Sequence, residues 1–378
     1  MRRTLALTAL LLAAVEAAAA PQVPGGYSYY KSLTLDHTVP GSTLSSFPVL
    51  VVIDEDSDLG GHARSDGKDI RFRLDGSSTD LDHEIESYAV AAGTATGIIH
   101  LNVPTVSVVS DTVVYAFYDG TTNYYDSSTP SGTWNANYEA VWHLSDLDDS
   151  TANGHTLSNS GATSGGTGEI GDCYTFADGD YLYVSDPVCA DPPVTLTAWF
   201  KRTDSTNYRR RTILAVIDSD DKAHYILAAH RQNSEASQHV NMDHTSDTSG
   251  TSRAEIGDWS VSTWHHGAGW FAGGTGSDKL KAFLDASGST DSNYQSSSGH
   301  DAFRIGSASG YNGFVGSIDE ARVSSVTLTD DWIAYEHANR PSNWSTYAAW
   351  GSEQSASSGL PPRLVGERSS LVNGGLVR

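Results

Sequence analysis

The stretch Val194-Thr-Leu-Thr-Ala-Trp-Phe200 alternates apolar and polar side chains with the two-residue period of a β-strand. Its inner set is Val194, Leu196, Ala198 and Phe200, while Thr195, Thr197, Trp199 and Lys201 fall on the other face. Similar patterns recur on both sides of it. Upstream, Pro48-Val-Leu-Val-Val-Ile53 is a brief apolar run bounded by Pro and Asp, as a buried strand requires. Asp69-Ile-Arg-Phe-Arg-Leu74 puts Ile70, Phe72 and Leu74 on one face, and the runs 98–103 and 112–118 add two further strands. Around and beyond the opening stretch, 140–144, 181–184, 224–228, 279–284 and 318–323 read the same way. Short strands separated by Gly, Asp and Asn turns predict an all-β chain of sandwich or jelly-roll type. One helix is expected at 330–338, with Thr329 as its cap and Asp330 and Asp331 at the positive end of its dipole.

A chain of 378 residues suits two domains. Arg2 and Arg3 precede an apolar stretch from Leu5 to Val15 and small residues Ala17 to Ala20, which predicts a signal peptide over 1–20. Residues 21–26 form a Pro/Gly leader. The first β-sandwich is placed at 27–136 and the second unit at 137–354, with the polar stretch 119–138 as linker or long loop. The Ser/Gly/Pro-rich tail 355–378 is expected to be mobile. No second apolar segment has membrane length, so the mature protein is expected to be secreted or surface-associated.

The formal charge is −23, with 46 acidic against 23 basic residues. Binding to phosphate backbones needs a Lys/Arg footprint, so this balance excludes nucleic acid as the partner. Charged residues are 18% of the chain and glycines number 36, a composition of many turns with a Ser, Thr, Asn and Tyr surface. The two cysteines, Cys173 and Cys189, lie within one region. In an oxidising compartment they would bridge, stabilising the fold by about 3 kcal/mol; the alternative is two buried free thiols.

Two resemblances cover most of the chain. The second unit resembles the laminin-G-like, concanavalin A-like jelly rolls of extracellular proteins. The carriers, in family order, are Val141-Trp-His-Leu144, Asp149-Ser-Thr-Ala-Asn-Gly-His-Thr-Leu157, Thr195-Leu-Thr-Ala-Trp-Phe200, Thr263-Trp-His-His266 and Phe314-Val-Gly-Ser-Ile-Asp-Glu-Ala-Arg-Val323. The first unit is similar to the domain of unknown function 2341, through Tyr29-Tyr-Lys-Ser-Leu-Thr-Leu35, Asp66-Gly-Lys-Asp-Ile-Arg-Phe72 and Val113-Val-Tyr-Ala-Phe-Tyr118. The resemblances imply an N-terminal β-sandwich followed by a concanavalin A-like jelly roll, and they carry over no catalytic residue.

The sequence contains no G-x-S-x-G elbow, H-E-x-x-H, GxxxxGK[ST] or CxxC pair. Asp319 and Glu320 are adjacent carboxylates, but a regular strand sends neighbours to opposite faces, so they do not form a retaining-glycosidase pair. His224, Tyr225, His230, Arg231, Gln238 and His239 offer lyase-type bases and enolate stabilisers without a diagnostic spacing. The loop 146–154 is rich in oxygen donors, and the family implies that a calcium ion pins it to the closing strand. Asp149, Asn153 and Asp319 are then the ligands, unless Asp149 and Asn153 form Asx turns. Trp199 is either an exposed platform for a sugar ring or a plug beneath a loop; Tyr208 and Tyr311 are loop candidates for ligand contact. These features point to a non-catalytic binding or adhesion protein for glycan or a surface partner. The alternatives are a structural component of an extracellular or virion assembly, and a polysaccharide lyase or glycoside hydrolase.

Overall fold

The computed structural model describes residues 21–356, except 120–127, 135–136, 187, 190, 205–209, 219–222, 232–237, 246–250, 274–278, 290–299 and 309–311. The signal-peptide segment 1–20, the tail beyond residue 356, Tyr208 and Tyr311 therefore lie outside the described residues. Among the described residues no helix is long and apolar enough to cross a membrane.

The chain folds into antiparallel sheets, with each strand expected above present and most differing only at their ends. In the first unit, Tyr29–Leu35, Thr112–Tyr118 and Arg71–Leu74 pair side by side, and Leu44–Asp56, Thr94–Val106 and His83–Ala91 form a second, three-stranded sheet. Leu33, Val49, Val51, Phe72, Ile99 and Val114 pack between them. A short helix, Ser57–His62, was not visible as a period. It is too brief to show one, and Asp56 nucleates it by accepting the N–H groups of Asp58 and Leu59.

The second unit is two larger sheets. An eight-stranded sheet centres on Val194–Arg202, flanked by His265–Phe271 and by Gly316–Ser324. A seven-stranded sheet runs Thr251–Gly257, Gln238–Thr245, Ala223–Arg231, Arg210–Ile217, Ala302–Ile305, Tyr181–Val184 and Ser158–Ser160. Val194, Leu196, Ala198 and Phe200 face the core between these sheets, as their alternation demanded. The helix Asp330–Ala338 forms where expected, and the Thr329 hydroxyl accepts the Trp332 N–H.

The C-terminal segment crosses back to the first unit. Ala348–Trp350 and Gln354–Ser355 pair with Tyr29–Leu35, and Tyr335, Tyr347 and Ala348 join the first core. The first sandwich thus contains chain from both ends, which the placement of 137–354 in one unit did not foresee. The polar stretch 119–138 is also partly structured: Trp134 is buried and donates its indole N–H to Glu84 at 2.6 Å.

Two further expectations differ. Cys173 and Cys189 are free thiols, because they lie on opposite sides of the eight-stranded sheet. Tyr174 and Phe176 face the jelly-roll core, so Cys173 beside Tyr174 faces outward, whereas Cys189 lies within that core and donates to the Asp191 carbonyl. Burial pushes their thiols up to about 11 and about 12, so neither is a ready thiolate.

Asp319 and Glu320 do not point to opposite faces. Thr197 pairs with Arg322 and Trp199 with Asp319, so the single residue Ala198 opposes both Glu320 and Ala321 in a β-bulge. Glu320 absorbs the extra residue at φ 51°. Ile318 and Ala321 both face the core, which sends Asp319 and Glu320 together to the outward side. Burial and the neighbouring Glu320 charge raise the Asp319 carboxyl well above its usual range. Burial opposes ionisation of Glu320 too, but His143 and Arg322 hold its carboxyl far below the ordinary value.

Candidate functional site

The outward side of the eight-stranded sheet is covered rather than open. Trp199 is 3% exposed and packs with Leu50 of the first unit and Ile170. Its ring stacks on His337 at 5.5 Å, with the Arg340 guanidinium 5.2 Å from the ring centroid. Trp199 is therefore a plug between the two units, not a platform, because the first sandwich occupies the face a sugar would need. His265 and His266, on the strand paired with that of Trp199, are similarly committed: His265 Nδ1 lies 2.6 Å from Asp285, and His266 is buried.

The expected calcium ligands serve separate loops. Asp149 accepts the N–H groups of Val141, Thr151 and His155 and the Thr151 hydroxyl, all at 2.8–3.0 Å. Asn153 donates its amide to the Glu139 carbonyl. Asp319 accepts the N–H groups of Glu169 and Ile170, each at 2.9 Å. The first carboxylate thus shapes the loop 141–155 and the second fastens 169–170. A cation on Asp149 would compete with N–H donors for the same lone pairs, whereas both donors to Asp319 share Oδ2 and leave its Oδ1 buried without a hydrogen-bond partner among the described residues.

The outward face of the seven-stranded sheet has a different character. Register places its side chains in rows across the strands. One row runs Tyr183, Arg304, Ala215, Ile226, Asp243 and Arg253. The next holds Thr212, Ala228, Asn241 and Glu255, followed by Arg210, His230 and His239. Ala215, Ile226 and Ala228 form a small apolar floor that turns away from the main core and packs with Ile217 and Ala308. Around it stand half-buried Tyr181, Tyr183, Arg210, His230, His239 and Arg253.

Polar groups on this face carry unused hydrogen-bonding capacity. The Thr212 hydroxyl and both polar atoms of the Asn241 side chain are buried and have no hydrogen-bond partner among the described residues. His230 Nδ1 is likewise unpartnered. A buried orphan of this kind costs about 1–3 kcal/mol, so three in one row demand an explanation. The adjacent Asp243 is held by the Arg253 guanidinium at 2.6 Å, with Arg210 at 3.5 Å. Burial, followed by the positive charge of Arg210 and Arg253, depresses the His230 imidazole to about 4. The ring is therefore neutral near pH 7, able to donate from one nitrogen and accept at the other.

The sequence had brought His224, His230 and His239 to notice but grouped them with Tyr225, which faces the interior. It missed Thr212 and Asn241. Their partnership depends on which residues pair across three strands, and a bulge between Thr212 and Leu214 shifts that register.

Residues 176–334 match the family model described as the concanavalin A-like lectin/glucanases superfamily. Among solved structures, the chain is similar to domain 4 of an extracellular arabinanase from Geobacillus stearothermophilus, determined with arabinotriose. The identity is 16% and the TM-score 0.43, covering 53% of this chain and 98% of that one. It is also similar to the botulinum neurotoxin serotype D ligand-binding domain, determined with N-acetylneuraminic acid, at 10% identity and TM-score 0.42, covering 55% of this chain and 52% of that one. The type G receptor-binding domain matches at 10% identity and TM-score 0.40, over 53% and 51% of the respective chains. This chain thus spans about half of each toxin domain. No curated protein matches it. The all-β, concanavalin-like fold expected for the second unit is the fold observed.

Proposed function

We propose that this chain is a non-catalytic carbohydrate-binding protein, secreted or surface-exposed, whose ligand lies on the outward face of the seven-stranded sheet. The observation that carries this reading is the row of unpartnered polar atoms on Thr212 and Asn241. A sugar hydroxyl both donates and accepts, and so can satisfy a hydroxyl, a carboxamide and a neutral imidazole at once. Tyr181 and Tyr183, half-buried and with ring centroids 5.6 Å apart, flank one end of the row, whose Thr212 and Asn241 are themselves 0% exposed. The family description, which names lectins as well as glucanases, supports the same class. Export rests on the Arg2/Arg3 and Leu-rich start, and the first unit's likeness to the domain of unknown function 2341 remains part of the proposal.

A glycan array with the full chain tests it. Asn241→Leu is expected to abolish binding of any positive glycan while leaving the melting temperature unchanged or higher, since the substitution removes a buried orphan amide. A silent array, or a positive glycan bound equally by Asn241→Leu and Thr212→Val, overturns the proposal.

A further inference from the structure

The seam between the two units holds a second, unrelated constellation. Glu86 and His100 come from paired strands of the first unit, His83–Ala91 and Thr94–Val106. His143 follows the strand Tyr138–Trp142, and Glu320 sits at the bulge of Gly316–Ser324. Two imidazole nitrogens and two carboxylate oxygens, one from each residue, lie within 4.8 Å of one another. All four side chains are at most 6% exposed.

We propose that Glu86, His100, His143 and Glu320 form a closed, tetrahedral binding site for one divalent transition-metal ion of the zinc class, clamping the jelly roll to the N-terminal sandwich. With bonds of about 2.1 Å, tetrahedral nitrogen and oxygen donors stand about 3.4 Å apart. The donor pairs straddle that value: His143 Nδ1 is 2.7 Å from Glu320 Oε1 and 3.8 Å from Glu86 Oε2, and His100 Nε2 is 2.8 Å from Glu86 Oε2. Closing on an ion needs these separations to change by about 0.4–0.7 Å. Two imidazoles and two carboxylates suit zinc-like ions over calcium, which takes six to eight oxygens.

The surroundings resemble an outer shell. His143 presents its second nitrogen, Nε2, to Glu84 at 3.2 Å, so that a carboxylate fixes the ring while Nδ1 faces the other donors. Glu84 is held in turn by the Trp134 indole and the Ser150 hydroxyl, each at 2.6 Å. Arg322 bonds the other oxygen of Glu320. His100 is 1% exposed and its Nδ1 has no partner, so its one polar engagement among the described residues is inside this centre. An entry path is present as well: a cleft of about 250 Å³ is lined by Glu84, Glu86, His143, Asp146, Asp148 and Asp149. Its carboxylates attract a cation towards Glu86 and His143, the two donors that share its lining.

Cobalt(II) is the probe. Full-length chain stripped with chelator and titrated with Co²⁺ should develop strong visible bands of tetrahedral type, saturating at one ion per chain and displaced by Zn²⁺. Zinc should also raise the melting temperature. Glu86→Gln and His100→Gln should lose the bands, and Glu84→Gln should weaken affinity about ten- to a hundredfold, the cost typical of an outer-shell partner. The wild-type titration needs no variant to fold and decides the matter by itself. Absence of tetrahedral bands together with a melting temperature indifferent to zinc overturns the proposal. So do bands that persist in both Glu86→Gln and His100→Gln, or that vanish in Asp149→Asn instead.

Discussion

Asn339 completes the unpaired edge of a strand that begins almost three hundred residues earlier in the chain: its Oδ1 accepts the Leu50 N–H at 2.9 Å and its Nδ2 donates to the Pro48 carbonyl at 3.1 Å. Leu44–Asp56 is an edge strand, paired on one side with Thr94–Val106. Its other side would leave N–H and C=O groups without partners in a buried seam. The C-terminal segment supplies those partners with side chains. Besides Asn339, the Tyr347 hydroxyl donates to the Leu50 carbonyl and the Trp350 indole to the Val52 carbonyl. The first sandwich therefore depends on the last residues described.

Replacing Asn339 by Leu leaves the Leu50 N–H and the Pro48 carbonyl buried without partners. Each such orphan costs about 1–3 kcal/mol, so a loss of about 2 kcal/mol or more is expected. Tyr347→Phe removes one donor and should cost about 1 kcal/mol. Urea midpoints for the full chain, at unchanged slope, measure both. A shift in Asn339→Leu no larger than in Tyr347→Phe would show that the edge is not held by the carboxamide.

Asp149 tests whether the loop 141–155 is held by hydrogen bonds or by calcium. It accepts three backbone N–H groups and one hydroxyl. Asp149→Asn turns one oxygen into an amide donor facing those groups, and should destabilise the chain by about 1–3 kcal/mol in calcium and in chelator alike. A wild-type melting temperature that rises with calcium, in a protein whose Asp149→Asn variant does not respond, would restore the ion.

The strands and the capped helix were legible because period and capping are local. Val194 to Phe200 states its inner face in the order of its residues, and Thr329 precedes its helix by one position. Trp199 shows where local reading stops. Its outward face was correct, but what covers that face, Leu50 and Ile170, comes from distant chain. Asp319 and Glu320 fail for another reason. Two-residue alternation assumes regular pairing, and one bulge turns the second carboxylate to the same side as the first. The seam was invisible altogether. Glu86, His100, His143 and Glu320 carry no spacing motif, because the docking of two units brings them together.

Stability should also fall as pH drops below neutral, through two histidines kept uncharged by the fold. Burial and the charges of Arg210 and Arg253 hold His230 at about 4; burial, His266 and Arg340 hold His337 at about 4. In the unfolded chain both titrate near 6.5. Their folded values are depressed, so between about pH 6.5 and 4 the unfolded state binds more protons than the native state. Stability then decreases as pH falls through that window, and is unaffected by these groups above it. His337 stacks on Trp199 with the Arg340 guanidinium 2.6 Å from its Nε2, so its protonation sets two cations against each other at the plug between the two units. Melting temperatures of wild type, His230→Gln, His337→Gln and the double variant at pH 7 and pH 5 isolate the effect from other carboxylates and imidazoles. Each single variant should lose less on acidification than wild type, and the double variant less again. Parallel losses in all four proteins would mean that neither ring is held neutral, and that the acid sensitivity of the fold arises elsewhere.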